Sequence, residues 1–289
     1  MPFKKTLVLG GYIWEQKLIF LDIYGTLTEP GKNIPPASAV EAVCRARKNG
    51  HKVVLCSGRN YGLLSPLLQF GFDGFISSAG GYIEYGGNIV YDCPMTRAQQ
   101  DRVLKVLQEN GVYYIIETRN HSYSDESFKE FLKNGIRSDA NSELLRWQKH
   151  IESDQFTRPM TEYRLEPIYK AVFMSPGMDR LQKPIQCLQD EFHFCIQDEN
   201  AHSIINGDLI NKAFDKGTAV QRLCGHLDIA QKDTIAFGDS MNDLEMLQTA
   251  ALGICMENGS TELKRLADEI CSPFNEDGLY KAFEKLKLI

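Results

Sequence analysis

No C-x-x-C pair occurs among the eight cysteines of this 289-residue chain, and no H-x-x-x-H pair among its six histidines. Those absences remove the ligand spacings of a structural zinc site, and His193-Phe-Cys195 has no companion ligands of its own. The cysteines (Cys44, Cys56, Cys93, Cys187, Cys195, Cys224, Cys255 and Cys271) are spread along the chain, several inside apolar runs such as Lys52-Val-Val-Leu-Cys56. They read as reduced core thiols of a cytoplasmic protein. There is no block of five or more basic residues and the formal net charge is −6, which argues against a sequence-independent grip on nucleic acid or anionic lipid. No stretch approaches the roughly 20 apolar residues of a membrane span. Lys4-Lys5 and the short apolar run to Trp14 imitate a signal peptide, but the run holds two glycines and no small-residue cleavage site follows it. Internal repeats and low-complexity tracts are also missing.

What is present is an ordinary globular composition, 43% apolar and 24% charged, in a chain long enough for two domains or for one with an insertion. The partner this points to is a small molecule; nothing fixes an oligomeric state. Lys17-Leu-Ile-Phe-Leu-Asp22 is an apolar run that ends in a carboxylate and then Gly25-Thr26, as a strand buried on both faces does where it empties into a loop. Pro35-Pro36 opens a helix that Asn49-Gly50 closes, and Lys52 to Ser57 is a second strand. A helix carrying Leu63, Leu64, Leu67 and Leu68 leads to a third strand at Asp73 to Ser78. This β-α-β-α-β order predicts parallel strands joined by right-handed crossovers.

From about Glu84 to Asn211 the texture changes. Strand-like runs at Tyr113 to Glu117, Ile168 to Met174 and Phe192 to Ile196 alternate with helix-forming stretches near Arg97 to Asn110, Ser127 to Lys133 and Met178 to Glu191. The first pattern then resumes, with a helix opened by Gly217-Thr218, a strand at Asp233 to Gly238, a helix from Asn242, a strand at Leu252 to Met256 and a closing helix from Gly278. The expected organisation is an α/β protein with a doubly wound parallel sheet as its core, residues 1–83 and 212–289, interrupted by an inserted α/β domain, residues 84–211. The first 16 residues are expected as an extra edge strand or an unstructured extension.

In an open parallel sheet, ligands gather beyond the carboxyl ends of the strands. Four polar points lie there: Asp22, Ser57-Gly58-Arg59, Lys216 at a helix start, and Gly238-Asp-Ser-Met-Asn-Asp243. Taken singly each has an ordinary explanation, a turn-forming aspartate, a serine before glycine, a solvated lysine, a helix-capping Ser240-x-x-Asp243. Their order, one per strand end, outweighs those. Asp22 and Asp239, with Asp243 behind them, suit magnesium, which prefers oxygen ligands, while Ser57 and Lys216 suit phosphate oxygens. Asp22 is also placed to attack phosphorus and form an aspartyl phosphate.

The same four stretches, Leu21-Asp-Ile-Tyr-Gly-Thr-Leu27, Leu55-Cys-Ser-Gly-Arg59, Phe214-Asp-Lys-Gly-Thr-Ala219 and Ala236-Phe-Gly-Asp-Ser-Met-Asn-Asp-Leu-Glu-Met246, resemble the motifs of the haloacid-dehalogenase-like superfamily. Within it the chain is similar to the Cof-type phosphatases with a type IIB cap, over nearly its whole length. The resemblance implies a Rossmann-like core with an α/β cap domain inserted, and Mg2+-dependent hydrolysis of a small phosphorylated metabolite. It implies Asp22 as nucleophile, Ser57, Gly58 and Lys216 around the phosphoryl group, and Asn242 orienting substrate or a neighbour. Metal ligation falls to Asp22, Asp239, Asp243 and the backbone carbonyl of Tyr24. That family's acid-base aspartate, two residues after the nucleophile, is Tyr24 here. Tyrosine, with a reference pKa near 10, donates a proton but is a poor base, and loss of acid-base help typically costs about 10²- to 10⁴-fold. Three outcomes follow: a slowed phosphatase or one confined to good leaving groups, a phosphometabolite-binding sensor, or a phosphotransferase.

Overall fold

The computed structural model describes residues 6–8, 11–13, 15–135, 157–197 and 204–289. Contacts divide the chain into two compact units. The first comprises Met1–Arg59, Leu64–Asp92 and Phe214–Ile289, the second Asn60–Leu63 and Cys93–Ala213.

At the start of the first unit, β1 (Thr6–Val8) and β2 (Gly11–Ile13) pair antiparallel as a two-stranded ribbon of their own. The expected edge strand of the main sheet is therefore not what these residues form; their hydrogen bonds are satisfied locally by the pairing of Thr6 with Ile13. The main sheet contains β3 (Leu18–Leu21), β4 (Lys52–Cys56), β5 (Gly74–Ser77), β6 (Tyr82–Tyr85), β7 (Asn88–Asp92), β14 (Thr234–Gly238), β15 (Leu252–Met256) and β16 (Glu269–Cys271). Its order is β16-β15-β14-β3-β4-β5-β6-β7, parallel as far as β5. The last two strands form an antiparallel hairpin that the sequence reading did not foresee. Every residue of β3 is fully buried, as a strand covered on both faces must be.

On one face lie α6 (Lys216–Leu227) and α7 (Leu244–Thr249), whose Ala219, Val220, Leu223, Met246 and Leu247 pack on Leu18, Phe20, Val54 and Ile76. On the other lie α1 (Ala37–Lys48) and α9 (Gly278–Lys285), with Phe283 against Phe237. This is the doubly wound arrangement. The first helix ends as expected, at Asn49 followed by Gly50 with φ +94°. The leucine-rich segment after β4 does not make one helix. A single turn, α2 (Tyr61–Leu64), passes into 3₁₀ turns over Ser65–Phe70 because Pro66 has no amide hydrogen and its ring clashes with the carbonyl one turn back. A short α8 (Thr261–Leu266), also not foreseen, follows β15.

The second unit holds α3 (Arg97–Glu109), α4 (Glu126–Gly135) and α5 (Met178–Leu188) on a six-stranded sheet. Its strands, in the order β10-β9-β8-β11-β13-β12, are β10 (Thr157–Pro159), β9 (Ser122–Ser124), β8 (Tyr113–Thr118), β11 (Ile168–Ser175), β13 (Ile205–Asn211) and β12 (Phe192–Ile196). Val103, Leu107, Leu181 and Leu188 bury one face, and Phe128 and Leu132 of α4 cover Ile115, Val172 and Met174 on the other. Asn60–Leu63 belongs to this unit by direct bonds: Asn60 Nδ2 donates to Ser122 Oγ (3.3 Å) and Gly62 N to Arg119 O (3.1 Å). A Cβ at Gly62 would fall onto the Asn120 carbonyl, so only glycine permits that approach.

All eight cysteines are free thiols. Cys56, Cys224 and Cys255 are buried, but Cys44 and Cys195 are exposed, which corrects the expectation of core thiols throughout. Apolar neighbours in sequence do not decide which face of a helix or edge strand a residue occupies. Among the described residues no helix is long and apolar enough to cross a membrane.

Candidate active site

The chain runs from β3 outward through β4 and β5, then returns to lay β14 on the opposite side of β3, so a crevice opens at the carboxyl ends of β3 and β14. Asp22 follows β3, its amide donating to Phe237 O (3.0 Å). The chain then folds tightly, with Leu27 N and Thr28 N both donating to Ile23 O. Gly25, at φ +76°, sits against Asp239; a Cβ there would lie 2.6 Å from Asp239 Cγ. Asp239 itself follows β14, where Ser240 caps the next turn. At the start of α6, Asp215 caps the helix by accepting from Thr218 N (2.7 Å), which places Lys216 in the first turn.

Lys216 is 2% exposed and its Nζ bridges Asp22 Oδ1 (2.8 Å) and Asp243 Oδ1 (2.5 Å), with Asn242 Oδ1 at 3.4 Å. Asp243 Oδ2 accepts from the amides of Asp239 (3.0 Å) and Ser240 (3.1 Å), so Asp243 also fixes the loop that carries Asp239. Asp239 Oδ1 takes a long hydrogen bond from Thr26 Oγ1 (3.4 Å). One ligand oxygen from each of Asp22, Asp239 and Asp243 lies within 4.8 Å of the others. Three carboxylates so close, in part buried, face one ammonium group. Burial and then the charges of Asp243 and Asp22 push the Asp239 carboxyl up to about 8. Burial and Asp243 push Asp22 up to about 6 against the pull of Lys216. Burial alone would lower the Lys216 ammonium, but Asp22 and Asp243 together outweigh it and keep it charged. Excess negative charge on hard oxygen donors fits a divalent cation.

The structure thus brings Asp22, Lys216, Asp239, Asp243 and Asn242 together, the last of them exposed. Ser57 lies just beyond β4, buried, its Oγ accepting from Arg59 N (3.3 Å), with Gly58 between them. Tyr24, half-buried, carries the Arg59 guanidinium on its ring, Cζ 3.2 Å from the centroid. Arg59 Nη1 donates to Asn33 Oδ1 (2.8 Å), and its charge is felt at Asp22. Sequence reasoning recorded Arg59 only as the end of Ser57-Gly58-Arg59 and gave it no role; the motif was the signal. Asn258 likewise stood in the sequence only as the end of Met256-Glu257-Asn258, with no role assigned to it. That side chain donates to Gly25 O (2.8 Å) and accepts from Phe274 N (3.1 Å), joining segments far apart in the chain. Its partners lie 233 and 16 residues away in sequence, so its contacts could not be read from neighbouring residues.

Comparison with known proteins gives the family of the chain as a whole. The family model described as haloacid dehalogenase-like hydrolase matches residues 19–283. The HMP-PP phosphatase of Serratia proteamaculans is 28% identical over 88% of this chain and 88% of its own. The 5-amino-6-(5-phospho-D-ribitylamino)uracil phosphatase YwtE of Bacillus subtilis is 26% identical over 93% of this chain and 98% of its own. A hypothetical protein of Geobacillus kaustophilus, solved by crystallography, superposes with a TM-score of 0.76 at 26% identity, covering 95% of this chain and all of that one. The chain belongs to the haloacid dehalogenase-like hydrolases, in their Cof-type phosphatase branch.

Proposed function

We propose that this protein is a magnesium-dependent hydrolase of small phosphate monoesters, sugar or cofactor phosphates, that works through an aspartyl phosphate on Asp22. The observation that carries the reading is the Lys216 bridge between Asp22 and Asp243 beside Asp239, at the crevice of the sheet. Asp22 presents a carboxylate oxygen to phosphorus as nucleophile. Lys216 and the Ser57 hydroxyl hold the phosphoryl oxygens and offset their growing charge. Asp22, Asp239 and the Tyr24 carbonyl hold the metal; Asp243, whose oxygens already accept from Lys216 and two amides, serves chiefly to orient Asp239. Mg2+, when bound, supplies charge that neutralises the phosphoryl oxygens. Asn242 orients substrate or Lys216, and the inserted unit, Cys93–Ala213 with Asn60–Leu63, selects the substrate. The names of the two curated relatives support a small phosphorylated metabolite as that substrate. Eight free thiols support a reducing, cytoplasmic setting.

Tyr24 favours a second reading, a phosphometabolite-binding sensor or a phosphotransferase, since no carboxyl group stands where the acid-base aspartate would. Phosphate release from a panel of phosphorylated sugars and cofactors, with Asp22→Asn as blank, decides between them. Release above the blank in the presence of Mg2+ supports the hydrolase; a folded, metal-binding protein with none points to the second reading.

A further inference from the structure

We infer that this site is built for phosphates whose leaving oxygen departs as a stable anion, above all phosphate anhydrides, and that Arg59, seated on the ring of Tyr24, is the cation that accompanies that oxygen. The inference rests on the aspartyl-phosphate chemistry of that reading and moves its substrate from alkyl monoesters such as sugar phosphates to anhydrides and other phosphates with acidic leaving groups.

Expelling an alkoxide from phosphorus needs a proton at the leaving oxygen; expelling a phosphate or a phenolate needs far less. Among the described groups around Asp22, Asp239 is committed to the metal in the proposed site, and the Tyr24 phenol, with a reference pKa near 10, is a far weaker acid than the carboxyl group it replaces. Lys216 is locked between two carboxylates, and Asp243 accepts from Lys216 and from two backbone amides. Position 24 carries an aromatic ring instead of a carboxyl group. That ring is occupied in a specific way: the Arg59 guanidinium lies on its face at 3.2 Å, is only 7% exposed, and is steadied by Asn33. A buried cation on an aromatic face is a strong, oriented contact. Guanidinium is permanently charged and its fork of donors matches phosphate oxygens. Where a proton donor would have served an alcohol, the site therefore offers a fixed positive charge, which serves an anion.

The chemistry balances without an acid. An Asp22 carboxylate oxygen bonds to phosphorus as the bond from phosphorus to the leaving oxygen breaks, and the electron pair departs on that oxygen, unprotonated. Water then adds to phosphorus, the bond to Asp22 breaks with its pair returning to the carboxylate, and the water proton leaves on the phosphate. Only the first step depends on the leaving group, so kcat/KM, which stops at that step, is the quantity to read.

The test measures kcat/KM of the Mg2+-loaded full chain on glycerol phosphate, a series of aryl phosphates of graded leaving-group acidity, and inorganic pyrophosphate, against the Asp22→Asn blank. We expect pyrophosphate and the most acidic aryl phosphates to exceed glycerol phosphate by about 10²-fold or more, the contribution that an acid normally makes. Tyr24→Asp should flatten the series by restoring a donor and releasing Arg59. Arg59→Met should lower the pyrophosphate value by about 10²-fold, as loss of a charge-stabilising donor does, and glycerol phosphate less. Equal rates on alkyl and acidic leaving groups overturn this inference and leave the phosphatase reading standing. No turnover of any compound above the blank overturns both. Tyr24→Phe keeps the ring, so it should leave the series unchanged; a further steepening, with glycerol phosphate falling most, would show that the phenol gives the proton and would overturn the inference.

Discussion

Replacing Gly25 with alanine separates two consequences that are usually entangled, backbone strain and loss of a ligand. At φ +76° an L-residue is strained by about 1–2 kcal/mol. Gly31, at φ +85°, bears the same strain with nothing within 4 Å of a Cβ. At Gly25 the added carbon would also lie 2.6 Å from Asp239 Cγ, and that carboxyl group must swing away. Its displacement costs little stability, because among the described residues only a 3.4 Å hydrogen bond from Thr26 restrains it. Gly25→Ala and Gly31→Ala should therefore lose similar stability in urea unfolding without metal, about 1–2 kcal/mol each. Titration calorimetry with Mg2+ should then separate them. Gly31→Ala binds as the parent does, whereas Gly25→Ala loses about tenfold or more, in the range seen when the support of a metal ligand is disturbed. Unchanged Mg2+ affinity in Gly25→Ala would refute the assignment of Asp239 as a ligand. A stability loss several kcal/mol beyond that of Gly31→Ala would refute the claim that the carboxyl group is free to move.

The carboxyl groups of Asp239 and Asp22, raised to about 8 and about 6 by burial and by their neighbours, make a signed prediction. Because both lie above their unfolded values, the stability they contribute to the metal-free protein is present at pH 4 and is lost as pH rises through 6 and then 8. Mg2+ affinity should rise over that window, and calorimetry at pH 7 in two buffers of different ionisation heat should show about one proton released per ion bound; no release contradicts the shifted carboxyls. Lys216→Met strands Asp22 and Asp243 without their cation and should cost about 3–5 kcal/mol in urea unfolding at pH 7, with recovery on lowering the pH to 5. An unchanged unfolding midpoint would show that the bridge contributes nothing. Asp73→Ala removes the carboxylate that accepts from Val53 N (2.8 Å) and pairs with Arg47 (2.9 Å); we expect about 1–2 kcal/mol of destabilisation with no change in Mg2+ affinity.

The parallel strands β3, β4, β5, β14 and β15 were legible because each is a short, largely apolar run, and the site residues because they stand where those runs end. Lys216 could be placed from its position before Gly217-Thr218, though its burial could not: that follows from carboxylates distant in sequence, Asp22 among them. The hairpin Tyr82–Asp92 was hidden by Gly86-Gly87 and by partly exposed strands with no clean alternation. Short strands such as Ser122–Ser124 and Glu269–Cys271 carry three residues each and exist only through their neighbours. The Tyr24 substitution was visible in the sequence, but its partner was not, because nothing local joins Tyr24 to Arg59. Free thiols were readable as a class, and their exposure was not.

The grouping of Asn60–Leu63 with the second unit has a consequence for recombination. An insertion cut out at its two junctions should be portable, so that residues 93–213 could be transplanted into another core. In this chain the transplant would leave behind the peptide that bonds Arg119 and Ser122, with the bare glycine that lets it approach Asn120. A chimaera would have to carry a third piece, taken from within the recipient's own first half. The second unit is therefore a set of two separate stretches of chain, and moving one of them alone breaks its internal bonds.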